Sequence, residues 1–300
     1  MATVTEKQSK EKLGSNPEKN KQKLLLESRL RPAEKLALRI HEAGGRALVV
    51  GGWVRDEMRR RLGQTIDEPK DIDVEIYGIP ASKLLTILEE FGSTKKTGAS
   101  FEVIKVIIDD QEVDVSIPRR ETSTGEGHGD FLIEGDHTMT SKEAARRRDF
   151  TINAMSIDPL TGEIIDEYGG IEDLKNRILR ATDFKKFGED PLRVLRLVRF
   201  AVRFGYSVEE KTFELARTIP LKKLATERIA NEWKRILLES SKPSIGLEWA
   251  RRLLVIEKLH PELHALIGVP QEPEWHPEGD VWTHTHMVAD AAADIIRREK

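Results

Sequence analysis

Hydrophobic positions along this chain change period part-way. Ala47, Leu48, Val49 and Val50 form an apolar run closed by Gly51 and Gly52, which predicts a buried strand, a turn and a helix from near Trp53. Ile72, Val74 and Ile76 alternate with Asp71, Asp73 and Glu75, the period of a strand with one apolar and one acidic face. Further strands are expected over residues 102–108 and 112–117, and a helix over residues 81–91. Ahead of them a helix is expected to start at Pro32, which suits a first helical position, with Leu36, Leu38 and Ile40 as its apolar contacts. Beyond about residue 175 the spacing is helical. Leu192, Leu195, Val198 and Val202 form one such series, Ile229, Trp233, Ile236 and Leu237 a second, and Leu247, Ala250, Leu253 and Leu254 a third.

The pattern divides the chain. Residues 1–30, dominated by Lys, Glu, Asn, Gln and Ser, read as a disordered tail, either solvated or laid against RNA. Residues 31–172 read as an α/β head, residues 173–270 as a helical region packed behind it, and residues 271–300 as a separate terminal segment. Residues 121–142 carry Gly125, Gly127 and Gly129 and neither period, so a long loop is expected there, a plain insert or a moving functional element.

Composition narrows the chemistry. Of 300 residues 38% are hydrophobic and 34% charged, enough for a core beneath a highly charged surface. A net charge of −3 confines any nucleic-acid contact to local basic stripes. Cysteine is absent, which excludes disulfides and thiolate metal sites. No apolar run is long enough to span a bilayer and no signal-peptide core is present, so the expected location is cytoplasmic.

On the acidic strand, Asp71 and Asp73 point the same way, roughly 7 Å apart from the strand rise. Two like charges at that spacing call for a cation between them, and hard divalent ions prefer oxygen ligands. The Gly51-Gly52 turn lets the backbone approach a phosphate at a helix N-terminus, and Arg55, one turn on, is placed to hold a triphosphate oxygen. Together these suggest phosphoryl or nucleotidyl transfer. The plainer alternatives are a tight strand-to-helix turn with Arg55 solvated, and unrelated charges on an edge strand. Asp114 lies on the polar face of the 112–117 strand, where an acid is also compatible with solvation alone.

Four blocks occur in order: Gly51-Gly52-Trp53-Val54-Arg55-Asp56, Lys70-Asp71-Ile72-Asp73, Arg147-Arg148-Asp149-Phe150-Thr151-Ile152-Asn153-Ala154 and Glu189-Asp190-Pro191-Leu192-Arg193. Together they resemble the class II (bacterial-type) tRNA nucleotidyltransferases, the CCA-adding enzymes of the DNA polymerase beta superfamily, over residues 32–300. Bacterial poly(A) polymerases share most of the blocks.

The resemblance implies an α/β nucleotidyltransferase head with a mixed sheet, followed by an all-α neck and body. It implies that Asp71 and Asp73 are metal ligands, with Asp114 as a third catalytic carboxylate, and that Mg²⁺ acts in a two-metal site. Gly51, Gly52 and Arg55 would take the triphosphate, and Arg148 or Asp149 the ribose 2′-hydroxyl, with Asn153 supporting the turn. Asp190, Arg193, Arg196 and Arg199 would form the base pocket. Asp190 accepts and Arg193 donates, matching the amine and ring nitrogen that cytosine and adenine present side by side; uracil and guanine present the reverse order. Asp190 before Pro191 also reads simply as a helix cap, and the arginines as a solvated stripe. Residues 226–234 are expected to be structural, with Glu227 and Arg228 organising a domain contact. The implied partners are the tRNA 3′ end, CTP and ATP, with no membrane and no disulfide partner.

Rival readings are CC-only or A-only addition, poly(A) polymerisation, and a catalytically silent RNA-binding remnant of a truncated gene. The full-length 121–142 segment favours competence for A.

The run from His276 through Glu278, Asp280 and His284 to His286 resembles the opening of an HD-type metal-dependent phosphohydrolase domain, with His284 at its first histidine ligand. No His-Asp pair follows before Lys300, so residues 271–300 read as a truncated start of such a domain. His284 and His286 are then expected to form no working site, and the last helix to pack poorly. This tail favours the tRNA branch over poly(A) polymerase.

Overall fold

A computed structural model describes residues 17–64, 66, 71–92, 95–97, 103–123 and 131–299. The head runs through α1 (Pro17–Glu42), β1 (Arg46–Val50), α2 (Gly52–Arg61), β2 (Ile72–Tyr77), α3 (Ala81–Glu89), β3 (Lys95–Thr97), β4 (Val103–Ile108), β5 (Gln111–Ser116), β6 (Arg119–Ser123), β7 (Phe131–Gly135), α4 (Ser141–Arg146), β8 (Ser156–Ile157), β9 (Ile164–Ile165) and α5 (Gly170–Asn176). After β10 (Ile178–Leu179), α6 (Leu192–Phe204) and β11 (Ser207–Val208) come α7 (Glu210–Thr218), α8 (Thr226–Leu238), α9 (Pro243–Arg252), α10 (Val255–Leu259), α11 (Pro261–His264) and α12 (Val281–Arg298).

The main sheet is seven-stranded and mixed, in the order β3-β4-β5-β2-β1-β8-β9. Only β2 and β5 pair in parallel, and their register sets Asp73 directly beside Asp114. The apolar alternation of β2 puts Ile72, Val74 and Ile76 into the core with Val113 and Val115 of β5 and Leu36, Ile40 and Leu88 of the covering helices. β1 is apolar without alternation because it is buried on both faces: Ala47 and Val49 join the main core, Leu48 and Val50 a smaller one with Tyr77, Met139 and Ala144. The main core continues into the helical region, where Phe150 is fully buried and meets Phe187 and Phe200 at centroid distances of 5.8 and 5.7 Å.

Several expectations are corrected. Residues 17–29 are helical rather than disordered, and Pro32 lies inside α1 instead of opening it. Leu30, buried just ahead of Pro32, and Ala33 just after it anchor both sides of the proline to the head, offsetting the backbone bond the proline cannot make. Residues 1–16 lie outside the described residues. The 121–142 segment is not a loop throughout: β6 and β7 form an antiparallel pair with Arg119 opposite Gly135 and Ser123 opposite Phe131, and α4 starts at Ser141. Gly125, Gly127 and Gly129 lie outside the described residues. The helical region also contains the short parallel pair β10–β11, which ties the end of the head to the end of α6.

The last helix does not pack poorly. Trp282 and Ala293 of α12 are buried, and Asp290 accepts from the backbone N–H and hydroxyl of Ser244 on α9, at 3.0 and 2.9 Å. Among the described residues no helix is long and apolar enough to cross a membrane.

Candidate active site

The glycine turn and the acidic strand meet at one end of the sheet. Gly51 has φ +72° and ψ −134°, a backbone region open essentially to glycine alone. A Cβ there would lie 3.0 Å from Nη1 of Arg148 and 3.5 Å from Oδ2 of Asp73. The turn thus brings the N-terminus of α2, the acidic strand and the Arg148 guanidinium together with no room for a side chain.

Asp71 and Asp73 are both solvent-accessible on the acidic face of the sheet. The Asp73 carboxyl is held above its ordinary range, first by burial against the cleft wall and then by the nearby charges of Asp114, Asp71 and Glu75, which outweigh the opposing Arg148. Asp114 is countered by Lys105, whose Nζ donates to it at 3.0 Å. Glu75 accepts from Nη2 of Arg148 at 2.8 Å and from the Tyr77 hydroxyl at 2.7 Å. A set of crowded carboxylates under repulsion is what a hard divalent cation relieves. Asp71, Asp73 and Asp114 thus offer such an ion oxygen donors on one face of the sheet, although their ligand atoms do not all lie within 4.8 Å of one another.

The Arg-Arg-Asp block follows α4 directly. Thr140 and Glu143 form a reciprocal capping box that starts this short helix, and Arg147 ends it. Asp149 is buried and fully engaged. Its Oδ1 accepts from the N–H of Phe150 at 2.8 Å and from Nδ2 of Asn153 at 2.9 Å, while Oδ2 accepts from Nε of Arg196 at 2.7 Å. Burial alone would raise this carboxyl, but Arg196, Asn153 and the Phe150 N–H outweigh it and hold Asp149 below its ordinary range.

Arg55 also has partners. It donates to Asp56 at 2.9 and 2.7 Å and through Nη1 to Oδ1 of Asn153 at 2.8 Å, with its guanidinium 4.9 Å from the Phe204 ring centre. Asn153 is thus a bridge between Arg55 and the Asp149–Arg196 pair, a link its place in the sequence block did not disclose. Asn153→Ala is expected to cost about 2 kcal/mol, the scale of two buried hydrogen bonds. Nucleotide affinity should fall further than the maximal rate, because the bridge positions arginines and touches no reacting atom. Thermal unfolding and the split between kcat and KM check both parts.

On the far wall, Asp190 and Arg193 face the same cleft. Oδ1 of Asp190 accepts from the N–H of Leu192 at 3.1 Å, and Oδ2 accepts from Nη2 of Arg228 at 2.9 Å. Arg193 donates to the carbonyls of Lys186 and Arg147, both at 2.6 Å, which fixes its guanidinium plane across the boundary between head and helical region. Arg199 forms a buried pair with Glu232 of α8 at 2.6 Å and lies over the Phe200 ring. The Arg228–Asp190 pair lies within the helical region and is not the contact between domains that was expected of Arg228.

Of the site residues expected from the sequence, all but Asp71 and Asp114 line one cleft of about 410 Å³, in which eight arginines face three carboxylates. In a chain of net charge −3 this concentration of positive charge marks a site for a polyanion. Arg235 in its wall was not anticipated, and Arg203 is legible in the sequence only as a member of the basic stripe that follows Arg193. Glu75 was visible as the next member of the acidic alternation, whereas Lys105 reaches Asp114 only through the β4–β5 register.

Fold and cleft together resemble those of a nucleotidyltransferase head. Residues 47–180 match the poly A polymerase head domain family. The chain is 37% identical over 254 residues to the multifunctional CCA protein of Stenotrophomonas maltophilia (strain K279a), covering 82% of this chain and 59% of that protein. Against the multifunctional CCA protein of Xylella fastidiosa (strain 9a5c) it is 37% identical over 257 residues, covering 83% and 58%. It spans about three fifths of the length of these curated relatives. Among solved structures it is similar to the apo form II of a CCA-adding enzyme, with a TM-score of 0.66 and 28% identity over 83% of this chain and 55% of the other. The Thermotoga maritima CCA-adding enzyme complexed with tRNA gives a TM-score of 0.61 and 27% identity, over 83% and 54%. By these likenesses the chain is similar to the class II nucleotidyltransferases, the group that contains the CCA-adding enzymes, and nucleotidyltransferases of this family are metal-dependent.

Proposed function

We propose that this protein adds C and A nucleotides to the 3′ end of tRNA from CTP and ATP, without a template and with Mg²⁺ as its metal. The observation that carries the reading is the single cleft that joins Asp73, the Gly51-Gly52 turn, Asp190 and Arg193. Relatives solved with CTP and with tRNA support the choice of substrates.

Each wall of the cleft has a task. The α2 N-terminus and the surrounding arginines take the triphosphate. Arg148, held by Glu75 beside Gly51, is placed for the ribose. Asp190 and Arg193 present an acceptor and a donor to the base edge. Asp71, Asp73 and Asp114 would hold the metal, which when bound neutralises the α-phosphate and activates the RNA 3′-hydroxyl for in-line displacement. The adjoining cleft of about 570 Å³, which shares Arg196, Arg228 and Arg235 and adds Lys234, extends the positive surface toward where an RNA end would lie. Incubation with Mg²⁺, tRNA lacking CCA and each labelled nucleotide separately tests the reading. Incorporation of C and then A supports it, and extension by A alone over many residues would make the protein a poly(A) polymerase.

Base reading has its own test. Asp190→Asn keeps the oxygen that accepts from Leu192 N–H, so the start of α6 should survive, and melting should fall only slightly with the weakened Arg228 pair. The new amide also donates, which blurs the distinction between an amine and a carbonyl on the base. Discrimination of CTP and ATP against UTP and GTP should drop about tenfold or more. Unaltered selectivity in a folded variant would leave Asp190 as a cap alone.

A further inference from the structure

A second constellation lies far along the chain from the acidic strand. Residues 272–280 form a turn leading into α12. His276 N–H donates to the carbonyl of Glu272 at 2.9 Å, Gly279 N–H to that of His276 at 3.2 Å, and Val281 N–H to that of Val269 at 3.0 Å. Asp280 then closes the turn. Its Oδ1 accepts from the N–H of Thr283 at 2.9 Å, and its Oδ2 from the N–H of Gly268 at 2.7 Å. This well-tied turn carries His276 and Glu278, and the first turn of α12 carries His284.

The three side chains converge. Nδ1 of His276 lies 3.1 Å and Nδ1 of His284 2.6 Å from the same Glu278 oxygen, Oε1, and the two imidazoles meet edge to face at 5.0 Å. Among the described residues this is the one His/Asp/Glu trio whose ligand atoms all lie within 4.8 Å of one another. The likeness noted in the sequence gave a ligand role to His284 alone; the turn adds His276 and Glu278.

We propose that His276, Glu278 and His284 form a binding site for a divalent transition-metal ion, with Zn²⁺ as the best match. Two imidazole nitrogens and one carboxylate oxygen are a ligand set Zn²⁺ takes at ~2.0–2.2 Å each, and tetrahedral ligands at that range sit ~3.3 Å apart, close to the spacings found here. Nitrogen donors set this site apart from the all-oxygen carboxylates of the head, which suit harder ions such as Mg²⁺. Glu278 is the most enclosed of the three, with 16% of its side chain exposed, whereas His276 and His284 are 35% and 41% exposed. An ion seated on them would keep a solvent-facing position for water or an anionic ligand. It would also clamp the 272–280 turn onto α12.

The site is tested by titrating Zn²⁺ into the full chain against a chromogenic chelator, with excess Mg²⁺ present to occupy the head. One tight equivalent is expected in the wild type and in an Asp71→Asn/Asp73→Asn double variant. His276→Ala and Glu278→Gln, each checked for its fold by circular dichroism, should each weaken binding at least tenfold. Glu278→Gln is nearly isosteric and keeps the test valid should His276→Ala fold poorly. Wild-type Zn²⁺ affinity in Glu278→Gln, or loss of the tight equivalent in the Asp71/Asp73 variant, would overturn the proposal.

Discussion

Replacing Asp73 by asparagine should lower kcat/KM for nucleotide addition by on the order of 10³-fold, the scale of removing a key electrostatic group from a reaction centre. The fold should survive it. Asp73 borders the cleft rather than the core, and its carboxylate is repelled by Asp114, Asp71 and Glu75, so the native state gains nothing from that charge without a cation. The sign of the pH effect follows. A carboxyl raised above its ordinary 3.8 is favoured in its protonated form by folding. Its contribution is fully present below that value and is lost as pH rises through the raised one. Metal-free wild type should therefore lose stability relative to Asp73→Asn across this window. Melting curves against pH, with chelator and with Mg²⁺, check both points, and added Mg²⁺ should restore the wild type alone. A variant that turns over like wild type would end the metal-site reading.

Asp149→Ala should carry the largest stability cost in the site. It removes the acceptor of Arg196, Asn153 and the Phe150 N–H at once and leaves Arg196 without its ion-pair partner. Breaking an enclosed pair on one side costs about 3 kcal/mol, at the low end because Arg196 is still one-third exposed. In a chain of this size that is roughly 6–12 °C in Tm. The pH sign is opposite to that of Asp73. The Asp149 carboxyl is depressed, so its stabilisation is present above the ordinary value and lost as pH falls through the depressed one. Both oxygens being engaged, Asp149 would act on a bound sugar only through the residues it orients. Selectivity for CTP over dCTP should still narrow, as Arg196 and Asn153 lose their anchor. An unchanged ratio of the two kcat/KM values in a folded variant would remove Asp149 from sugar selection.

The buried pair of Arg199 and Glu232 shows what spacing along a helix conceals. In the sequence, Arg193, Arg196, Arg199 and Arg203 are one basic stripe of α6. In the fold each has a different neighbour: backbone carbonyls for Arg193, Asp149 for Arg196 and Glu232 for Arg199, while Arg203 stands by the Phe204 ring. Helical periodicity says which residues share a face, and nothing about what is laid against it. Pro32 gave the opposite error, since a local preference for helix starts lost to the burial of Leu30 and Ala33 on either side. The 121–142 segment was misread as loop because the pairing of β6 with β7 comes from its partner strand rather than from alternation along either run.

Sequence by itself determined the acidic face of β2, the glycine turn, the four ordered blocks and the change from α/β to helical periodicity. These are local properties: the side-chain period of a strand or helix and the backbone freedom of glycine are written in neighbouring residues. Only the tertiary structure decided that Asp73 stands in register with Asp114, that Asn153 joins Arg55 to Asp149, and that Asp190 already holds Arg228. It also decided that His276, Glu278 and His284 turn toward one another. Register, cross-element hydrogen bonds and charge crowding depend on distances between residues far apart in the chain or across a turn, and those distances exist only once the core has closed.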